Sequence, residues 1–199
     1  MIDFLLNVDT SLFLFFNAQL THPVLDFLMV KITHPEFWII PGLAFLILFV
    51  RKEKKKALIV IGLSIITVAI SDPVSSQILK PIFQRLRPCH PVSFVEGGRF
   101  LLGMKRSLSF PSSHSMNMFA QAALLCGIYP RHSLYFFSFA ALIAYTRVYT
   151  GVHYPLDVIG GALFGVMVGL GVVIAYRVAC RMHATHVALK HSRELTNSD

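Results

Sequence analysis

Long apolar runs separated by short polar stretches dominate this chain. A membrane-spanning helix needs about 20 apolar residues, and runs near 36–50, 57–79, 112–129, 133–149 and 156–176 read as spans. The first 33 residues are less regular. Leu12-Phe13-Leu14-Phe15-Phe16 and the stretch from Val24 to Ile32 are apolar, but Asn17, Gln19, Thr21, His22, Pro23 and Asp26 interrupt them. They form either an interfacial helix with a short first span, or one weakly hydrophobic span. The pattern predicts an all-α, polytopic membrane helix bundle with six transmembrane helices, or five if the first segment does not cross. Three parts follow: residues 1–33 as interfacial helix or first span, 34–178 as the membrane core, and 179–199 as a basic cytoplasmic tail.

Orientation follows from the basic loops. Arg51-Lys52-Glu53-Lys54-Lys55-Lys56 should stay cytoplasmic, because positive charge is retained on that side. Lys80 then emerges outside, the chain re-enters after Pro111, turns at Pro130-Arg131-His132, emerges at Arg147 and re-enters after Pro155. The outer loop of about 85–110 departs from the charge rule, holding Arg85, Arg87, Arg99, Lys105 and Arg106 against Glu96. Such a field focuses an anionic substrate; for Arg99, Lys105 and Arg106, contact with lipid headgroups is the equal alternative.

Composition agrees with a membrane chain: 55% of residues are hydrophobic and 14% charged, which a soluble domain of 199 residues rarely shows. The net charge of +8 lies largely on the flanks of apolar runs, including Arg177, Arg181, Lys190 and Arg193, so nucleic acid is not the expected partner. Residues 1–20 lack the basic start and small-residue cleavage site of a signal peptide. Cys89, Cys126 and Cys180 match no zinc spacing and should form no disulfide.

Three polar clusters stand at the edges of the apolar runs, all on the outer side of this topology. Lys80 and Arg87 are two helical turns apart, with Pro81 suited to a helix start and Pro88 to a stop, so a short outer helix would carry both cations. They hold phosphate oxygens or anchor the span by snorkelling. Pro111-Ser112-Ser113-His114 opens an apolar helix; Ser112 caps it, its free N–H groups suit an anion, and His114 can donate a proton. The plain alternative is a capped helix with an interfacial histidine. In the third cluster Arg147 ends a span, Gly151 allows a turn, and His153 and Asp157 are four apart. Asp157 can then fix the tautomer of His153 and leave its other nitrogen free for phosphorus. The competing reading pairs Asp157 with Arg147.

Together, Lys80-x6-Arg87-Pro88, Pro111-Ser112-Ser113-His114 and Arg147-x5-His153-x3-Asp157 resemble the three-part signature of the type 2 phosphatidic acid phosphatase superfamily, which also includes vanadium haloperoxidases. The resemblance runs from Lys80 to Asp157. Ser113 stands where glycine is usual and Thr146 where serine usually precedes the arginine, differences that bear on substrate fit. The resemblance implies that His153 is the nucleophile, Asp157 orients it, and His114 protonates the leaving oxygen. Lys80, Arg87, Ser112, Ser113 and Arg147 would bind phosphate. It implies no metal and no cofactor, and residues 34–178 become a membrane phosphatase core. The expected substrate is a lipid phosphate or diphosphate, with undecaprenyl diphosphate preferred over phosphatidylglycerophosphate, phosphatidic acid and lipid A phosphate. A lipid phosphotransferase would use the same residues. The expected location is the bacterial inner membrane, with the site facing the periplasm or exterior. A transporter is the competing class, but it requires ionisable groups near mid-bilayer, where only Asp72 qualifies.

Among the remaining features, Asp72-Pro73 either helps hold a cation or allows a kink at Pro73, the structural reading being preferred. Gly161, Gly165 and Gly169 suggest close helix packing inside the bundle. Trp38 and Tyr176 suit interfaces, while His183, His186 and His191 read as a solvated end.

Overall fold

A computed structural model describes residues 2–196, with side-chain surroundings for 3–189. The side chains of Lys190, His191 and Arg193, assigned above to the tail, lie outside the described residues. All regular structure among the described residues is helical.

The N-terminal segment forms helix α1 (Ile2–Leu14), a π-helical turn (Phe15–Gln19) and α2 (Pro23–Thr33). The two arms meet at a bend of 113°, so the polar interruption at Asn17–Pro23 breaks the segment rather than leaving one straight span. His22 caps α2, accepting from the Val24 N–H through Nδ1 at 3.2 Å. Helix α3 (Ile39–Glu53) and α4 (Lys55–Pro73) follow. Pro73 has no N–H to donate, and a π-helical turn (Val74–Leu79) carries the chain on into α5 (Lys80–Phe83). Together Lys55–Phe83 is one of two helices long and apolar enough to cross a membrane. The other is α8 (Pro155–Thr196), and the bent N-terminal pair makes a third span if it crosses as one. Helices α3, α6 (Ser113–Ile128) and α7 (Ser133–Tyr149) fall on the other expected spans, with 15, 16 and 17 residues.

Residues 179–196 continue α8 as helix, because no Gly or Pro follows Gly171 and the sequence there is rich in Ala, Arg, Lys and Leu. One expectation needs correction. No separate outer helix joins Lys80 to Arg87: Lys80 belongs to the end of the long helix, Gln84 terminates it at φ 48, and Arg87 lies in the following loop.

The bundle centres on α6 against α8, its most extensive helix pair. Gly161, Gly165 and Gly169 make that approach possible. A Cβ at those positions would stand 2.6 Å from the Ser112 carbonyl oxygen, 2.2 Å from that of Met116 and 2.3 Å from that of Ala120. The glycine repeat therefore packs within the bundle, and it holds the start of α6 tightly against the start of α8. Helix α4 joins α6 through a polar seam: Gln121 donates to the Ser64 carbonyl, Asn117 donates to Asp72 Oδ1, Ser71 donates to Asn117, and Ser75 Oγ lies 2.8 Å from Ser113 Oγ. Asp72 thus has a structural partner across the helix pair.

The N-terminal arms close over the same end. Asn17 is fully buried; its amide donates to the carbonyls of Arg99 and Tyr149, and its oxygen accepts from the Arg99 N–H at 2.6 Å. Arg99 also pairs with Asp26, whose other oxygen accepts from the Tyr149 hydroxyl at 2.6 Å. Arg99 is therefore committed to holding the loop, whereas Lys105 and Arg106 are exposed.

Candidate active site

The end of α5 with its loop, the start of α6, and the turn between α7 and α8 converge at one end of the bundle. Their junction is covalently simple and heavily hydrogen-bonded. Ser112 N–H donates to the Asp157 carbonyl at 2.9 Å, and Lys80 Nζ donates to the Leu108 carbonyl at 2.8 Å. The turn before α8 is folded by Val152 and His153, whose N–H groups both donate to the Arg147 carbonyl. Gly151 makes the turn possible: its φ is +82°, and a Cβ there would lie 2.1 Å from the Arg99 carbonyl oxygen.

His153 sits just before α8 and is 1% exposed. Its Nε2 lies 2.9 Å from Arg87 Nη1. A guanidinium can only donate, so Nε2 carries the lone pair and the proton is on Nδ1. Nδ1 faces Asp157 Oδ2 at 3.4 Å and Ser109 Oγ at 3.3 Å. Burial pushes the imidazole pKa down to about 3, opposed by the Asp157 hydrogen bond and reinforced by Arg87, so the ring is neutral near pH 7. A neutral ring with its lone pair directed at a fixed cation can act as a nucleophile toward an anion held by that cation.

Asp157 is fully buried, and every side of its carboxylate is held. Oδ2 accepts from Ser109 Oγ and from the Tyr154 N–H at 2.8 Å; Oδ1 accepts from Arg85 Nη1 at 2.9 Å. The bond from Tyr154 is the reach-back half of a capping box at the start of α8. The alternative pairing of Asp157 with Arg147 is replaced by pairing with Arg85.

The cations surround the histidine. Arg87 also donates to the Ser107 carbonyl and hydroxyl and to the Val152 carbonyl at 2.9 Å. Burial lowers its pKa, and Arg remains charged. Lys80 is 9% and Arg147 8% exposed, both unusual for such side chains. Arg147 Nη1 donates to Thr33 Oγ1. Its Nε is buried with no hydrogen-bond partner among the described residues. A buried guanidinium nitrogen left unpaired is costly, and an anionic oxygen would satisfy it.

Ser112 adopts an extended backbone and caps α6, its Oγ accepting from the Ser115 N–H at 3.5 Å. The amides of Ser113 and His114 fall in the first turn, where no preceding carbonyl within the helix is available to them. The Ser113 hydroxyl points to Ser75, so the departure from glycine serves the α4–α6 seam. His114 is exposed, within electrostatic range of Arg147, Arg87 and Lys80. It lines a cavity of about 400 Å³ with Thr33, Trp38, Met118, Phe139 and Ile143. One histidine is thus buried beside a carboxylate, and the other stands at the mouth beside apolar walls.

Sequence reasoning missed Asp9, Arg85 and Ser109. Arg85 was visible only as one charge of a basic loop, and Ser109 carried no signal. Asp9 carried one: an acidic residue within an apolar helix needs a partner.

A family model described as the PAP2 superfamily matches residues 56–181. The lipid A 4'-phosphatase of Porphyromonas gingivalis is 35% identical over 182 residues, covering 89% of this chain and 76% of that protein. An undecaprenyl-diphosphatase of Sulfolobus acidocaldarius is 30% identical over 160 residues, covering 80% and 73%. The crystal structure of Aquifex aeolicus LpxE superposes with a TM-score of 0.63 at 29% identity, covering 82% of this chain and 93% of that one. The matched residues run through all three clusters, and the chain belongs to the PAP2 superfamily of membrane proteins as a phosphatase acting on lipid phosphates.

Proposed function

We propose that this protein removes a phosphate monoester from lipid A or a closely related glycolipid, through a phosphohistidine on His153. The observation that carries the reading is the His153 Nε2 lone pair against Arg87, with Asp157 behind the ring and the unpaired Arg147 Nε nearby. Phosphate oxygens would take the bonds now made by Arg87 and the one Arg147 lacks, with Lys80, Ser112 and the Ser113 and His114 amides completing the cradle. His153 Nε2 attacks phosphorus and the bond to the lipid oxygen breaks. His114, which takes up a proton as the phosphate dianion enters among the three cations, gives that oxygen its proton, releasing a lipid alcohol. Asp157 stabilises the charge that develops on the His153 ring. Water then attacks the phosphorus, His114 takes a proton from it, the P–N bond breaks and inorganic phosphate leaves. Fixed cations and dipoles supply most of the rate in such transfers. No step requires a metal.

The substrate preference moves from undecaprenyl diphosphate to lipid A. Similarity to the Porphyromonas enzyme extends over most of both chains, and the undecaprenyl-diphosphatase match is less similar. The apolar cavity beside His114 and Thr33 gives the leaving lipid a neighbouring wall. In this reading the bent pair α1–α2 lies over the outer end of the bundle, the interfacial alternative, which leaves five spans. Residues 34–178 form the catalytic core, and the site faces the outer side of the inner membrane.

Purified protein offered lipid A, undecaprenyl diphosphate, phosphatidylglycerophosphate and phosphatidic acid should release phosphate fastest from lipid A, equally with and without a chelator. Faster release from undecaprenyl diphosphate would reverse the substrate assignment. Loss of turnover in chelator would remove the metal-free mechanism.

A further inference from the structure

The buried ion pairs behind His153 extend beyond the residues needed to hold phosphate. Arg85 bridges two carboxylates: Nη1 donates to Asp157 Oδ1 at 2.9 Å and Nη2 to Asp9 Oδ2 at 2.6 Å. Its guanidinium also lies over the Tyr154 ring, 4.1 Å from the centroid. Asp9 is 1% exposed and comes from α1, far from the site in sequence. Its second oxygen accepts from the Leu156 N–H at 2.8 Å, in the first turn of α8. Phe13, one turn further along α1, packs on Tyr154 at 5.6 Å. The order of contact is therefore Asp9, Arg85, Asp157, His153, with Arg87 on the far side of the imidazole.

Charge along this row decides what Asp157 does. Arg85 keeps Asp157 ionised in a fully buried position, but an unshared guanidinium would also draw the carboxylate's charge away from His153. Asp9 occupies the second face of Arg85 and offsets that pull. Because Asp9 also caps α8, it fixes the depth and rotation of the turn that presents His153. We infer that Asp9 and Arg85 are positioning residues that set the electrostatic support Asp157 gives to His153 as its ring becomes cationic. This rests on the roles proposed above for His153 and Asp157. The other charges bearing on the imidazole are Arg87 from the loop and Arg147 from α7.

The test compares D9N, the double variant D9N/R85Q and H153Q in detergent, with lipid A as substrate, or phosphatidic acid if lipid A is not turned over. D9N keeps the shape and one of the two accepted hydrogen bonds, removes the charge, and turns its amide N–H groups toward the other donor, Arg85 or the Leu156 N–H. Its kcat should fall about tenfold, the scale of one pKa unit of altered support, while KM stays within about twofold. Removing both charges should restore part of that loss, because Asp157 is then no longer opposed by an unshared cation. A folded D9N with wild-type kcat overturns the inference, as does a double variant more impaired than D9N. If D9N does not fold, R85Q decides by the same split: removing the cation that pairs with Asp157 should lower kcat with little change in KM, and wild-type kcat overturns it. H153Q separates the layers. Activity in H153Q removes the nucleophile assignment itself; an inactive H153Q with an unaffected D9N removes only the positioning row.

Discussion

Substituting Gly165 by alanine tests whether the α6–α8 contact holds the site together. A Cβ at Gly165 would stand 2.2 Å from the Met116 carbonyl oxygen and 3.0 Å from the Ala120 nitrogen, both backbone atoms that cannot rotate away. An ordinary carbon–oxygen contact is about 3.3–3.6 Å, so α8 must retreat from α6 by about 1 Å. Overpacking of this kind costs about 1–3 kcal/mol, and alanine returns about 1 kcal/mol through helix propensity. Gly171 lies on the same helix with nothing within 4 Å of its Cβ position, so G171A takes the propensity gain without the clash. The two variants should differ by about 2 kcal/mol in stability, or about 4–8 °C in midpoint at roughly 2–4 °C per kcal/mol for a chain of this size. Thermal unfolding of the detergent-solubilised variants reads this directly. G161A adds an activity readout, because its Cβ would lie 2.6 Å from the Ser112 carbonyl oxygen at the edge of the candidate site. A displacement near 1 Å there should cost about a hundredfold in turnover. If G165A melts with G171A, the close helix approach is wrong; if G161A turns over normally, that approach does not position the site.

H153Q should abolish turnover and the acid-labile phosphoprotein seen on rapid quenching, while retaining the helical signal. R147K, which keeps charge but loses Nε and the planar fork, should raise KM about 10-fold to 100-fold with a smaller change in kcat, from the loss of a charged hydrogen bond worth roughly 1.5–3 kcal/mol; an unchanged KM would remove Arg147 from phosphate binding. Acidification gives a signed test. The folded-state pKa of His153 is near 3, below its ordinary value of 6.5, so the unfolded chain binds the extra proton first. His153 therefore contributes nothing to pH dependence above about 6.5 and progressively destabilises the fold as pH falls from there toward 3. Melting of H153Q should consequently decline less over that range than wild type, and parallel curves would refute the buried neutral ring.

Much of the helical layout was legible because apolar runs and glycine spacing act locally. Gly161, Gly165 and Gly169 face α6 as their repeat suggested, and Ser112 begins a helix as its hydroxyl suggested. The three polar clusters were legible as motifs because their spacings are short. What was hidden depends on residues brought together from distant segments. The Arg85–Asp9 and Ser109–Asp157 contacts bridge separations of 76 and 48 residues, and no periodicity encodes them. The missed bend after Lys80 has a local cause that propensity alone does not reveal: Gln84 adopts a left-handed conformation, φ 48, and Arg87 then bonds to Ser107 and Val152 from a loop. The long continuation of α8 follows from local composition, since nothing in residues 179–196 breaks a helix.

From Pro155 to Tyr176, α8 rises about 33 Å at about 1.5 Å per residue, close to the hydrocarbon thickness of a bilayer of about 30 Å. His153 and Asp157 stand at one end of that length, Arg177 and Arg181 at the other. Under the function proposed above, the helix would act as a gauge that couples reaction depth to membrane thickness. In a thicker bilayer, the basic end resists burial and the histidine end sinks below the plane of the phosphates. In a thinner one, tilt restores the match at the expense of the angle at which the imidazole meets phosphorus. Under the function proposed above, acyl-chain length in the host membrane should change turnover without any ligand or covalent change.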